Sequence, residues 1–256
     1  MKLKLAIALL LLLMAPLVVS LGQAHAEPIP DISINIGGDT ADGADGQPSS
    51  SAISLLLLIT VLSIAPAILV LMTSFTRIVI VLGFVRTSLG TQQMPPNQVL
   101  IGLALFLTLF IMSPTLSQVN DTALQPYLKG ELTQTEALNE AAVPMKKFMY
   151  AHTREKDLLL FMNYTQTPKP DSYEEIPITV LVPAYAISEL KTAFQMGFMI
   201  FIPFLVIDMV VSSTLMAMGM MMLPPVMISL PFKILLFVLV DGWYLITKSL
   251  LLSFST

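Results

Sequence analysis

Methionine is concentrated in one short part of this sequence. Seven of the 17 methionines fall within residues 209–227. Three of them are consecutive: Met220, Met221 and Met222. Gly219 precedes this triplet and Pro224-Pro225 follow it closely, so helix-breaking residues bound a predicted loop of thioether side chains. The question is what chemistry such a loop performs.

Three interpretations of the methionine-rich stretch compete. Methionine fills irregular gaps in a core, which suits scattered residues such as Met72 and Met162 but explains the concentration poorly. Thioethers also bind soft metals such as Cu(I). The chain has no cysteine and its two histidines, His25 and His152, lie elsewhere, so a metal site is disfavoured. The third interpretation is an adaptable constriction, because a hydrophobic ring blocks ions by dewetting and flexible side chains yield to varied substrates.

Charged residues interrupt the apolar blocks of the C-terminal half. They are Glu189, Lys191, Asp208, Lys233, Asp241 and Lys248. An ionised group at the centre of a bilayer costs at least about 2.5–3.5 kcal/mol, so each needs water, a membrane edge or an opposite charge. The sequence leaves the pairing open: Glu189 with Lys233, or Asp208 and Asp241 with a base from another segment or subunit. Charges that one chain cannot satisfy favour an obligate oligomer.

The composition places the protein in a membrane, or in an assembly that buries it almost as completely. Of its 256 residues, 55% are hydrophobic and 12% are charged, against about 25% charged in a soluble domain. The net charge of -4 comes without a basic cluster, so a nucleic-acid partner is not expected. No phosphate-binding loop, Ser-His-Asp constellation or metal-ligand spacing is present, so we predict neither an enzyme nor a cofactor.

The elements that position these residues are predicted to be all-α. We divide the chain into a signal peptide (1–26), a flexible acidic leader (27–51), N-terminal apolar helices (52–114), a polar helical domain (115–182) and C-terminal apolar helices (183–256). Two lysines, a leucine-rich run and an Ala-x-Ala site predict the signal peptide, and an uncleaved first membrane helix is the alternative. Four crossings from an external residue 27 would place the polar domain and the C-terminus outside.

Helix boundaries follow from prolines, glycines and caps. The block 52–90 is too long for one crossing, so we predict either a break at Pro66 or Gly83 or a helix that projects well beyond the lipid. The second apolar helix is predicted to end at Pro114. In the polar domain Thr133 and Glu136 predict a capping box, and Pro144 is predicted to separate that helix from the next.

Two long segments resemble the FliP family of flagellar export-gate proteins, which is similar to the SctR proteins of virulence type III secretion. They are 72–114, which ends in MPPNQVLIGLALFLTLFIMSP, and 183–243, which contains AMGMMMLPPVMISLPFKILL. The resemblance covers the chain from about residue 51 onward. It implies long kinked helices within a helical oligomer.

The resemblance also implies function, partners and site residues. Five copies would assemble with FliQ and FliR, beside FlhA, FlhB and the basal-body membrane ring, into a pore that conducts unfolded flagellar substrates across the inner membrane. The polar domain would lie on the periplasmic side. Met220, Met221 and Met222 would form a methionine gasket, and Arg154, Glu189 and Lys233 a charged network between subunits.

A different class of function remains as the alternative. Asp208 and Asp241 could bind the coupling ion of a secondary transporter or channel, because ionisable residues within membrane helices commonly mark ion pathways. The absence of an internal repeat argues against that class.

Overall fold

The computed structural model describes residues 49–91, 93–166, 168, 170, 172–220 and 222–255. Within these residues every regular element is helical and no strand occurs, so the predicted all-α class is confirmed. The predicted signal peptide, residues 27–48 of the predicted leader, and Met221 lie outside the described residues. Residues 62–256 form one compact unit, and the contacts given below lie within it.

Long helices alternate with short ones along the chain. In order they are α1 (Ser49–Met72), α2 (Phe75–Leu89), α3 (Asn97–Val119), α4 (Gln125–Leu128), α5 (Gln134–Ala151), α6 (Glu155–Tyr164), α7 (Ile178–Ala217), α8 (Pro225–Leu239) and α9 (Gly242–Leu252). A π-helical turn, Asn120–Leu124, joins α3 to α4, and a 3-10 turn, Tyr173–Glu175, precedes α7.

The first apolar block breaks between α1 and α2, where residues 62–72 and α2 meet at 66°. The predicted breaks at Pro66 and Gly83 are wrong, because both residues lie inside helices. The hydroxyls of Thr73 and Thr76 donate to carbonyls of the last turns of α1. Hydroxyl side chains that bond to nearby backbone compete with the helical ladder, and here they favour the break.

Two other predicted boundaries are wrong as well. Helix α3 continues through Pro114 to Val119, and α5 continues through Pro144. The predicted capping box is confirmed: Thr133 Oγ1 accepts from the backbone N–H of Glu136, whose carboxylate accepts from the backbone N–H of Thr133. The chain breaks instead after α5, where Arg154 is extended ahead of an acidic first turn of α6. Acidic residues at a helix N-terminus are favourable to its dipole.

Helix α7 is the longest helix of residues 62–256. Its 40 residues span roughly 60 Å at about 1.5 Å per residue, twice the thickness of a bilayer core. It packs against α2, α6 and α8. One apolar core surrounds α2 and includes Val81 and Leu82, and a second lies between α5, α6 and the start of α7. A single helix therefore belongs to both cores.

By length and composition, two stretches of the described residues can each cross a membrane, 97–128 and 178–217. Two bent pairs reach the same hydropathy when taken together: residues 62–72 with α2, and α8 with α9, which meet at 62°. These two helices and two bent pairs correspond to the four apolar blocks of the sequence.

Candidate functional site: the methionine loop and three ion pairs

The methionine loop begins at a glycine cap on α7. Gly219 has φ +75°, the left-handed conformation that glycine adopts without steric cost. The backbone N–H of Gly219 donates to the Met216 carbonyl at 3.0 Å, and that of Met220 donates to the Leu215 carbonyl at 3.0 Å. These two bonds form a Schellman motif, which satisfies carbonyls that the end of a helix leaves free.

The loop ends at the two prolines. Pro224 is extended, with φ -67° and ψ 116°, and Pro225 is the first residue of α8. Proline suits that position because the first helical residue has no partner for its N–H and the ring presets φ. A capped helix end and a proline pair therefore bound residues 218–224 on both sides.

The methionine side chains that the structure describes in and beside this connection are exposed on their own chain. Met222 is 98% exposed and Met220 is 38% exposed, and Met216, Met218 and Met227 are exposed as well. Met112 and Met149, by contrast, are fully buried. Core packing within one chain thus accounts for methionines such as Met112 and Met149, whereas the described loop thioethers leave apolar surface that their own chain does not cover.

The first ion pair joins α2 to α7 in the interior. Arg77 Nε donates to Glu189 Oε2 at 2.8 Å, and Arg77 Nη2 pairs with Glu189 Oε1, so the contact is bidentate. Glu189 is 0% exposed and Arg77 is 3% exposed. A buried charge is stable only when its partner and hydrogen bonds are complete, and here both oxygens are occupied.

Arg77 also holds the end of the chain. Its Nη1 donates to the carbonyl and to the hydroxyl of Ser253, both at 2.9 Å. The guanidinium carbon lies 3.8 Å from the ring centroid of Phe254, whose other neighbours are Phe148 and His152 of the α5 end. The C-terminal segment is therefore fixed between α2 and the polar domain.

The second ion pair joins α7 to α8. Lys233 Nζ donates to Asp208 Oδ2 at 2.6 Å, and the Ser229 hydroxyl donates to Asp208 Oδ1 at 2.5 Å. Lys233 and Ser229 are buried, while the Asp208 side chain is 24% exposed. Both carboxylate oxygens thus have partners on α8.

The third ion pair lies in the polar domain. Arg154 contacts Asp157 at 2.6 Å. The Ser188 hydroxyl donates to Asp157 Oδ2 at 2.7 Å and accepts from the Arg154 backbone N–H at 3.1 Å. These contacts dock the start of α6 onto α7.

The three residues predicted as one network, Arg154, Glu189 and Lys233, therefore lie in three separate ion pairs of the single chain. Asp208 is paired with Lys233, whereas Asp241 is exposed on the single chain. Asp241 is exposed and left-handed, φ +52°, because it forms the bend before α9.

The sequence reasoning missed Arg77 as a site residue. Arg77, like Lys233, is a charge within an apolar run that needs a partner, and this signal could have identified it from the sequence.

Together, fold and site define an all-α membrane protein whose longest helix ends at an exposed methionine loop. Residues 58–250 match the model of the FliP family. The chain is also 70% identical over 211 residues to the flagellar biosynthetic protein FliP of Bacillus subtilis (strain 168), covering 82% of this chain and 96% of that relative. The chain belongs to the FliP family.

Similar relatives occur in distant bacteria. Flagellar biosynthetic protein FliP of Pectobacterium carotovorum subsp. carotovorum is 53% identical over 82% of this chain and 81% of its own length. That of Aquifex aeolicus (strain VF5) is 46% identical over 93% of this chain and 97% of its own. The predicted family resemblance is confirmed, and with it a membrane component of flagellar biosynthesis and protein export.

Proposed function

We propose that this chain is a pore-forming core subunit of the flagellar type III protein export gate, and that Met220, Met221 and Met222 form its seal. Copies of the chain would line a passage for unfolded flagellar substrates across the inner membrane. The observation that carries the proposal is the exposure of Met220 and Met222 on a loop bounded by a glycine cap and two prolines.

The chemistry of the loop suits a seal for polypeptides. A passage for unfolded chains must close against ions yet accept side chains of every kind. Thioethers are flexible and apolar, so a ring of them can exclude water when empty and rearrange around a substrate. Irregular backbone at membrane depth is tolerated where it lines a cavity or is buried in protein, and copies of the loop around a common axis meet that condition.

Arg154, Glu189 and Lys233 are proposed to hold neighbouring copies in register. Arg154 is 29% exposed and can contact a neighbour directly. Glu189 and Lys233 are buried within the chain, so in the conformation described here they support the contact indirectly, by fixing α7 against α2 and α8.

The partners, the number of copies and the side of the membrane are inferred from membership of the FliP family. Five copies would assemble with FliQ and FliR beside FlhA, FlhB and the basal-body ring, with the polar domain on the periplasmic side. The subunit would perform no catalysis, so the energy for transport would come from other components of the apparatus.

The test is the ion conductance of the assembled complex in planar bilayers. Replacing Met220, Met221 and Met222 by alanine should open a leak, because three long side chains leave the seal. Met199→Ala is the matched control, since Met199 is also exposed but lies within α7, away from the loop. An assembled triple-alanine complex that stays as tight as the wild type would contradict the proposal.

A further inference from the structure

The Asp208–Lys233 ion pair, which we call the brace, joins α7 to α8, the two helices that flank the methionine loop. Residues 208–233, the two helix segments with the loop between them, form the hairpin. We propose that Asp208 is a positioning residue of the gate. Because its carboxylate accepts hydrogen bonds from Lys233 and Ser229, it fixes α7 against α8 and so determines the position of the loop between them. This inference rests on the proposed function. Both oxygens of the carboxylate have partners on α8, at 2.6 Å and 2.5 Å.

Between the brace and the loop, the two helices of the hairpin have nearly equal lengths. Asp208 lies nine residues before Ala217, the last residue of α7, which corresponds to roughly 14 Å of helix. Lys233 lies eight residues after Pro225, the first residue of α8, which corresponds to roughly 12 Å. Ser229 and Lys233 are one helical turn apart and share a face, so a single carboxylate can engage both.

Between the brace and the loop Leu215 is buried, but many of the large apolar side chains of the hairpin are exposed. On α7, Met209, Val210 and Met216 are exposed, and on α8, Val226 and Met227 are exposed. Apolar contacts are non-directional and let helices slide past one another. A hydrogen-bonded charge pair has a defined geometry and can fix the register of two helices.

The brace also meets the end of α2. Gly90 caps that helix with φ +74°, and a Cβ built there would lie 3.8 Å from Lys233 Nζ. The ammonium therefore lies close to the C-terminal end of α2, where the helix dipole favours a positive charge. Asp208 thus positions a lysine that lies beside the end of a third helix, so the position of the hairpin is related to α2 as well.

Because the chain has no cysteine, spin labels can be placed at chosen sites. Met218→Cys and Val226→Cys put one label on each side of the loop, and diluting labelled chains among unlabelled ones isolates the distance within a subunit. In the full-length protein we expect a narrow distance distribution with Asp208 present and a broadened one in Asp208→Asn. An unchanged distribution in Asp208→Asn would overturn the inference.

Two further variants separate positioning from stability. Asp208→Asn/Lys233→Met removes the unpaired lysine charge, so thermal stability should recover while the label distribution stays broad. A distribution that narrows along with recovered stability would overturn the positioning role. Asp241→Asn is the matched control, an exposed acid at the bend between α8 and α9, and should leave the distribution unchanged.

Conductance distinguishes this inference from the proposed function. We expect Asp208→Asn complexes to leak more than the wild type and less than complexes with the three loop alanines. A leak from the alanine complex together with a tight Asp208→Asn complex would overturn the inference and leave the proposed function intact. A tight alanine complex would overturn the proposed function, and with it the role of Asp208 in a gate. If Asp208→Asn fails to assemble, the label measurement on detergent-solubilised full-length protein decides.

Discussion

The two ends of helix α7 carry the same chemistry in different surroundings. Near its start, Glu189 belongs to what we call the hinge cluster: Arg77, Tyr185, Glu189, Ser253 and Phe254. Further along, Asp208 belongs to the methionine hairpin, residues 208–233. Each acid pairs with one base of another helix. In the hinge cluster Arg77, Tyr185, Glu189 and Phe254 are buried and Ser253 is partly buried, whereas the hairpin exposes a quarter of the Asp208 side chain and the methionines that the structure describes there.

This difference separates a complete region from an incomplete one. In the hinge cluster Arg77 bonds to Glu189 and Ser253, and the Tyr185 hydroxyl donates to the Thr73 carbonyl at 3.0 Å, so these polar groups find their partners within the chain. The hairpin leaves apolar surface uncovered, and burial of such surface is the main driving force for association. Helix α7 therefore connects the hinge cluster, whose polar groups are paired within the chain, to the methionine hairpin, whose exposed apolar surface requires neighbouring molecules to cover it.

The largest effect is expected from Arg77→Met. It leaves the Glu189 carboxylate buried without a partner, which should lower the free energy of unfolding by about 3–5 kcal/mol. Asp208→Asn should lower it less, because Asp208 is partly solvated. Thermal unfolding in detergent measures both.

The double variant Arg77→Met/Glu189→Met is the control for the hinge cluster. It removes both charges and should regain most of the lost stability, since apolar residues can replace a buried ion pair. If Arg77→Met were no more harmful than Asp208→Asn, the contrast between the two regions would fail.

The next effect is expected from Gly197→Ala, where α7 meets α2 between the two regions. A Cβ there would lie 2.4 Å from ring atoms of Phe84, so the ring or the two helices must shift. Overpacking of this kind should lower stability by about 1–3 kcal/mol, measured by the same thermal unfolding. Gly102→Ala in α3 is the control: nothing lies within 4 Å of its Cβ, so stability should hold or rise slightly.

A smaller effect is expected from Gly219→Ala at the loop. The site is sterically open, so only the left-handed backbone is penalised, by roughly 1–2 kcal/mol. Gly130→Ala carries the same strain, φ +76°, outside the hairpin. Stability should fall similarly in both variants, while bilayer conductance should change only in Gly219→Ala. Equal conductance in both would show that the cap does not shape the seal.

The smallest effect concerns pH and the polar domain. Hydrogen bonds from the Thr133 backbone N–H and hydroxyl lower the pKa of Glu136 below its ordinary value. A lowered pKa in the folded state stabilises the protein above the ordinary pKa of glutamate, and this contribution is lost as pH falls through the lowered pKa. Melting temperatures at neutral and acidic pH should therefore differ less in Glu136→Gln than in the wild type. Glu140→Gln, an exposed acid of the same helix, should retain the wild-type difference.

Local chemistry made part of this architecture predictable. Apolar block lengths indicated the long helices, the spacing of Thr133 and Glu136 indicated the capping box, and Gly219 with Pro224-Pro225 indicated a connection between two helices. Each of these signals acts within a few residues of itself.

The rest depends on partners distant in the chain. Arg77 and Glu189 are 112 residues apart, and no local pattern selects that pairing over Glu189 with Lys233. Pro114 and Pro144 lie within helices although proline usually ends them, because packing in a folded or membrane environment can outweigh local preference. Sequence reasoning therefore located the candidate loop more securely than the ion pairs behind it.

The position of the loop sulfurs relative to neighbouring copies tests the gate most directly. In the assembled complex, Met222→Cys is the only thiol of its chain, and thiol-specific cross-linkers of increasing length report its distance to the same residue in the adjacent copy. We predict efficient linkage between copies by short reagents for Met222→Cys and none for Met199→Cys. A Met222→Cys thiol that reacts freely with lipid-soluble reagents yet never links to its counterparts would contradict a seal formed by converging methionines.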